Sequence, residues 1–261
     1  MYATERHAHI TRSLTDRGRV SVVDLARDLG VTTETIRRDL DAMEEQGVLR
    51  RVHGGAVPSR GGSTTEVSIA ERTSVNSGAK DAIARRALEV ITRGWRGSVL
   101  FDAGSTAAAV ARLMGDRVAG TGAQIDAVTH AVPVAHALST VPGIDLTVLG
   151  GQVRGITAAA VGPSTVDALR SLRPDLAFIG TNGITAGFGL STPDPAEAAV
   201  KTAIVRAARR VIVLADADKM GVESLVSFAD IADIDVLVTD APLDAELSDA
   251  LADADVEVWL A

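Results

Sequence analysis

The chain has 261 residues, of which 46% are hydrophobic, 23% charged and only 3% aromatic, and it has no cysteine. That balance suits a globular core of Val, Ile, Leu and Ala; it excludes a disulfide frame or thiolate chemistry, and no apolar run approaches the ~18 residues of a membrane span. The formal charge of −8 is unevenly spread, +1 over residues 1–60 and −9 over 61–261, so any nucleic-acid contact must come from a local cluster in the first segment.

Residues 4–17 read as a helix, with Ile10 and Leu14 one turn apart and Gly18 ending it. Ser21-Val-Val-Asp24 sets a carboxylate three residues after a Ser, a capping-box pattern that opens a short helix with Leu25 and Leu29 on one face. Gly30 stops that helix and Val31-Thr32 turns the chain. A third helix is predicted over 33–46, with Ile36, Leu40 and Met43 as its buried stripe. Residues 48–57 alternate basic and apolar side chains around Gly54-Gly55, as a small hairpin does. Residues 58–65, rich in Gly, Ser and Thr, read as a linker. The stretch from there to about Arg93 reads as helical, with Ile83, Ala87, Leu88 and Ile91 on its apolar face.

Beyond it the pattern changes. Short apolar β-type runs fall at 98–101, 125–129, 144–149, 176–179, 211–214, 236–238 and 256–259. Ala-rich helical stretches at 105–114, 132–140, 164–172, 195–209 and 243–253 separate most of them. Continuous apolar strands alternating with helices predict an α/β unit, a Rossmann-like and mainly parallel sheet covered on both faces.

The first segment has the outline of a winged helix-turn-helix. With Ile36, Leu40 and Met43 facing inward, the other side of the third helix presents Glu34, Arg38, Asp41 and Glu45, flanked by Thr35 and Arg37. A recognition helix meets base edges with its N-terminal residues, and Thr hydroxyls and Arg forks suit phosphates and guanine. Thr32, Thr33, Thr35, Arg37 and Arg38 are the candidate readers; Arg50, Arg51 and His53 on the hairpin are candidates for adjacent phosphates or the minor groove. The plainer reading of Arg37-Arg38-Asp39 is a solvated face with local ion pairs.

In the α/β part, Phe101-Asp-Ala-Gly-Ser-Thr106 runs from a strand into a helix. Such a turn gathers N–H groups and two hydroxyls around one point, which favours an anion; the alternative is an ordinary turn with Ser105 as the cap. Thr129-His130, Gly150-Gly151, Thr181-Asn182-Gly183 and Asp216–Gly221 also follow strands, where ligands bind in open parallel sheets. Each is equally readable as a glycine turn. Glu197 and Lys201 stand at i, i+4, the spacing of a surface ion pair. The chain has 23 Arg and three Lys, Lys80, Lys201 and Lys219, all in the acidic part.

Val31-Thr-Thr-Glu-Thr-Ile-Arg-Arg-Asp-Leu40 followed by Arg51-Val-His-Gly-Gly-Ala56 closely resembles the DeoR family of bacterial transcriptional regulators, and the resemblance runs through most of the chain. It implies a DNA-binding domain over 1–57, a linker and lead-in over 58–74, and a sensor over 75–261 similar to phosphosugar isomerases. On the motifs Asp102–Thr106, Gly150-Gly151, Glu197-Ala-x-x-Lys201 and Asp216-x-x-Lys219-x-Gly221, it implies that Gly104, Ser105 and Thr106 hold a phosphate. Asp102, Glu197, Lys201 and Lys219 then become polar partners of the sugar or its phosphate, with Thr129, Gly150, Gly151, Asn182, Gly183 and Asp216 around them. Two positions depart from the family pattern: His130, where Asn is usual, and Asp218, where Ser is common.

The reading that follows is a cytoplasmic transcriptional repressor with operator DNA, a phosphorylated sugar and a second copy of itself as partners. It carries no membrane segment, metal or cofactor. Its competitor is an isomerase with an accessory DNA-binding domain.

Overall fold

The computed structural model describes residues 3–17, 20–45, 48–52, 54–58 and 63–261. Its contacts divide the chain into two compact units, Met1–Thr65 and Glu66–Ala261.

The first unit runs α1 (Ala3–Arg17), β1 (Val20–Ser21), α2 (Val22–Leu29), α3 (Thr33–Glu45), β2 (Leu49–Val52) and β3 (Gly55–Pro58). Ile10, Leu14, Leu25, Ile36, Leu40, Met43, Leu49 and Ala56 close one core, so the helical spacings do fix the buried faces. Ser21 caps α2, its hydroxyl accepting the Asp24 N–H at 3.4 Å, and Gly30 ends it at φ 64°. The hairpin gains a third strand that the sequence did not announce: the two-residue β1 pairs with β3 in the order β1-β3-β2. Here lies the reason for the double glycine. Gly54 turns the wing at φ 77°, and a Cβ on Gly55 would overlap the Val20 carbonyl of β1.

The second unit opens with α4 (Ile69–Ser74) and α5 (Ser77–Leu88). The predicted single helix is thus two, broken at Asn76, which sits at φ 53°. Residues 66–74, read as a lead-in, are built into this unit: the Ile69 N–H donates to the Ile156 carbonyl at 2.8 Å. Lys80 is structural as well, its ammonium donating to the Arg72 carbonyl at 2.6 Å and to that of Val75, at the C-terminal end of α4.

There follow β4 (Arg96–Phe101), α6 (Ser105–Thr121), β5 (Gln124–Thr129), α7 (Val132–Leu138), β6 (Ile144–Val148), β7 (Gln152–Arg154), β8 (Ala159–Val161), α8 (Pro163–Arg170), β9 (Leu176–Gly180), β10 (Gly183–Thr185), β11 (Gly189–Thr192), α9 (Pro195–Ala207), β12 (Val211–Leu214), β13 (Val226–Ala229), β14 (Val236–Thr239), α10 (Ala245–Asp253) and β15 (Glu257–Leu260). All seven apolar runs become strands of one parallel sheet, in the order β15-β14-β12-β9-β4-β5-β6. A core lies on each face, one around Phe101 and Phe178 and the other around Leu100, Ile179 and Val213. Alternate residues of a strand supply opposite faces, which is why a central run such as Val211-Ile-Val-Leu214 is apolar throughout, while the outer strands β5, β6 and β15 admit Asp126, Asp145 and Glu257. Two pieces were not anticipated: the β7–β8 hairpin and a small antiparallel sheet, β10-β11-β13. Among the described residues, no helix is long and apolar enough to cross a membrane.

Candidate functional site

In the first unit Thr32 precedes α3 and caps it, its hydroxyl accepting the Thr35 N–H at 3.2 Å and meeting the Thr35 hydroxyl at 2.9 Å. Thr33 is half-buried. Arg37 and Arg38 project outward, Arg38 with its side chain 79% exposed, and both reach Glu34, at 3.8 and 3.3 Å. Such exposed pairs contribute about 0.3–0.5 kcal/mol, so a phosphate or base edge displaces them easily. Asp39 is different. It is buried, and Arg6 donates to it at 2.6 and 2.9 Å, with His7 at 3.2 Å. Burial pushes its carboxyl up, and the Arg6 guanidinium, with His7, more than offsets this and holds it below the usual range. Asp39 therefore fastens α1 to the reading helix and is no part of a solvated face.

Arg51 turns back onto α3. Its backbone N–H donates to Glu44 at 2.6 Å and its guanidinium pairs with Asp41, so it ties wing to helix. Arg50 lies on β2, paired with Val57. His53 lies outside the described residues.

In the second unit the loops after β4 and β5, the end of β9 and the helix α9 gather a buried polar network. Asp102, 0% exposed, follows β4. Its carboxylate accepts from the Lys201 ammonium at 2.5 Å and the Gly180 N–H at 3.0 Å, and lies 3.2 Å from His130 Nε2. Burial alone would raise this carboxyl; the Lys201 charge and His130 outweigh it and bring it down to about 2. Lys201, on α9, also donates to the Gly180 carbonyl at 2.8 Å and lies 5.4 Å from the centre of the Phe228 ring. It is 5% exposed, so the Glu197–Lys201 spacing marks an inward face and not a surface pair. His130 bonds the Ala160 carbonyl through Nδ1 at 2.8 Å, which fixes that nitrogen as the donor.

Glu197, one turn before Lys201, faces a second cation. It accepts from Arg154 at 2.6 Å and from the Thr157 hydroxyl at 2.5 Å. Arg154 is held further by Glu66 at 2.6 Å and Asp194 at 3.2 Å, and the Glu66 hydrogen bond, with Glu197, raises its pKa. Gly104 precedes α6 at φ 135°, and no side chain caps that helix, so Ser105 is not the cap. The first-turn N–H groups are left for water or ligand. Ser105 and Thr106 are buried beside them. Asp216 is 2% exposed, its Oδ1 has no hydrogen-bond partner among the described residues, and Lys219 stands 3.8 Å away.

The other loops hold structure. The Thr129 hydroxyl donates to the Phe101 carbonyl at 2.9 Å and accepts the Ala131 N–H at 3.1 Å, so it is engaged within the fold. The Gly150 carbonyl accepts from Thr165 at 2.8 Å, and a Cβ on Gly151 would overlap the same hydroxyl. Gly151 lets the start of the β7–β8 hairpin lie close to α8. Asn182 accepts from Thr192 at 3.1 Å, and Gly183 lies against the Val222 carbonyl. Asp218 accepts from Asn76 at 2.9 Å. Arg154, Glu66 and Arg72 were missed by the sequence reading; Ser68-x-x-Glu71, which forms a full capping box at α4, was the overlooked sign of structure there.

An exposed Thr/Arg helix face on a winged unit, and an α/β unit with polar groups converging behind its strand ends, make up a DNA-binding regulator with a sensor. The DeoR-like helix-turn-helix domain matches residues 6–59 and the DeoR C terminal sensor domain residues 75–241. The chain belongs to the DeoR family of transcriptional regulators, and is a regulator and not an enzyme. It is 36% identical to the HTH-type transcriptional regulator GlpR of Haloferax volcanii, over 99% of this chain and 98% of that one. It is 33% identical to a putative aga operon transcriptional repressor of Escherichia coli O157:H7, over 98% and 93%. To the glycerol-3-phosphate regulon repressor of Escherichia coli K12 it is 30% identical over the whole of both chains. Ribose 5-phosphate isomerase A from Methanocaldococcus jannaschii matches 56% of the chain and 55% of its own at 19% identity and a TM-score of 0.41.

Proposed function

We propose that this protein is a repressor that leaves its operator when a phosphorylated sugar or a related phosphorylated metabolite binds the sensor unit. Thr32, Thr33, Thr35, Arg37 and Arg38 contact the operator, and a homodimer presents two such faces to paired half-sites. Ser105, Thr106, Lys201 and Lys219 contact the effector, with Asp102 and Glu197 orienting the cations.

One observation carries this reading. An uncapped helix N-terminus, α6, begins three residues after a buried carboxylate that is bound to a buried lysine. A free helix N-terminus favours a phosphate over a hydroxyl through its N–H groups and dipole. A relative named as a glycerol-3-phosphate regulon repressor lends support to a phosphorylated effector. The effector acts by preferring one of two states, since only differential affinity shifts an equilibrium.

The test is fluorescence anisotropy of labelled operator DNA, taken from the region upstream of the gene, at fixed salt. Sugar phosphates and their unphosphorylated forms are titrated in. Release by a phosphate ester and not by its free sugar is expected. Equal action of the two, or no action by any ester, overturns the reading.

A further inference from the structure

One donor of the Arg72 guanidinium, Nε, lacks a partner to explain it among the described residues. The side chain projects from α4, and its Nε is buried. The carboxylates of Glu197, Glu66 and Asp102 are near enough to act on it electrostatically, yet burial dominates and lowers its pKa. None of the three is bound to it: Glu66 and Glu197 take Arg154, and Asp102 takes Lys201. A buried N–H without an acceptor is costly, and native proteins keep few of them.

Arg72 is also held in place. Ser68 and Glu71 cap α4 from its start, and Lys80 binds the carbonyls at its end, that of Arg72 among them. The helix packs against α6, whose N-terminus is the uncapped one. A helix held at both ends, an orphan donor and contact with a helix whose first turn lacks a side-chain cap point the same way.

We propose that Arg72 is an effector-binding residue whose guanidinium fork takes the anionic group of the small molecule together with the N-terminus of α6. This rests on the sensor reading above and adds a residue outside the motifs that suggested it. The surrounding cluster has four carboxylates, Glu66, Asp102, Asp194 and Glu197, and three cations, Arg72, Arg154 and Lys201. Net charge therefore does not draw an anion in. Directed N–H donors do, and a guanidinium presents them in the planar pairs that match phosphate oxygens. The contact also has a regulatory position: α4 is the first helix after Thr65, where the DNA-binding unit ends. An effector that fixes Arg72 fixes the segment to which the linker is attached.

The experiment uses the full chain as wild type, Arg72→Gln and Arg72→Lys. Calorimetry measures binding of inorganic phosphate and of a panel of triose, pentose and hexose phosphates. Operator affinity and thermal unfolding without ligand are measured beside it. Arg72→Gln should keep the operator affinity and weaken binding of the anions at least tenfold; Arg72→Lys, which keeps the charge and loses the fork, should fall between. If the wild type binds a sugar phosphate and both variants bind it equally well, Arg72 is not a ligand and the sensor reading survives. If Arg72→Gln fails to fold, Arg72→Lys decides alone: unchanged anion affinity overturns the proposal. If the wild type binds neither phosphate nor any ester, both the proposal and the sensor reading fall.

Discussion

Lys201→Met is the most informative single change in the sensor unit. The side chain keeps its length over Phe228 and loses only the ammonium. What it abandons is the Asp102 carboxylate at 2.5 Å, which is fully buried and keeps only the Gly180 N–H at 3.0 Å and His130 at 3.2 Å. Breaking one side of a buried pair costs about 3–5 kcal/mol, because an uncompensated charge stays behind. For a unit of this size each kcal/mol moves the unfolding midpoint by about 2–4 °C, so the sensor transition should fall by roughly 6–20 °C. Scanning calorimetry of the full chain checks this, since the DNA-binding unit's transition should not move. The double variant Asp102→Asn/Lys201→Met should regain at least half of the loss, as both charges are then gone.

The acid limb follows with a definite sign. Asp102 is held at about 2 in the folded chain, below its unfolded value. Its contribution, about 2–3 kcal/mol, is complete above the unfolded pKa of ~3.9 and is lost as pH falls towards 2. Without Lys201, burial dominates and lifts the Asp102 carboxyl above its unfolded value, so the sign reverses: acidification protonates the buried carboxylate and narrows the variant's deficit. A midpoint shift under 2 °C, or an unchanged acid limb, would refute the argument that this pair is a buried structural bond. Because Lys201 bears on stability, loss of effector response in its variants proves a binding role only when folding is measured too.

Three further outcomes are expected. Arg38→Ala should cut operator affinity at least tenfold, as each good base contact is worth ~1–3 kcal/mol, while the unfolding midpoint stays put; anisotropy at fixed salt and calorimetry read the two. Asp39→Asn should destabilise the first unit by about 1.5–3 kcal/mol through loss of its charged bonds to Arg6, seen in urea melts followed by circular dichroism. A fragment of residues 66–261 should fold, whereas one of 75–261 should be markedly less stable, having lost Glu66 from Arg154 and the Arg72 carbonyl from Lys80; equal midpoints for the two would return 66–74 to the linker.

The parallel sheet was readable because its central strands are buried on both faces, and runs such as Val211-Ile-Val-Leu214 have no other use. The small strands were not. Ala159-Ala-Val161 and Gly183-Ile-Thr185 carry neither alternation nor enough β-branched residues to stand out, and each exists by pairing with its neighbour in a short hairpin, β8 with β7 and β10 with β11. The site divides the same way. Asp102 and Lys201 stood in motifs that could be named, but their bond spans 99 positions and no local pattern encodes it. Thr129 looked like a ligand because a hydroxyl at a strand end is one by type; only the fold shows that Phe101 and Ala131 engage it. Arg72 and Arg154 escaped because an isolated arginine in a polar stretch has no period at all.

The order of strands has a consequence for how the protein is made. The centre of the sheet needs β4 beside β9, and β9 lies beyond three helices and two of the other strands of that sheet. The edge strand β15 (Glu257–Leu260) is the last strand of the sheet to be made. The first unit, by contrast, is built from Met1–Thr65. At ~5–20 residues per second, the 196 residues of the second unit take about 10–40 s to follow the first. A nascent chain thus holds a folded DNA-reading head for tens of seconds with no working sensor behind it. Where transcription and translation share a compartment, that head grows beside the chromosome before it can be told to let go.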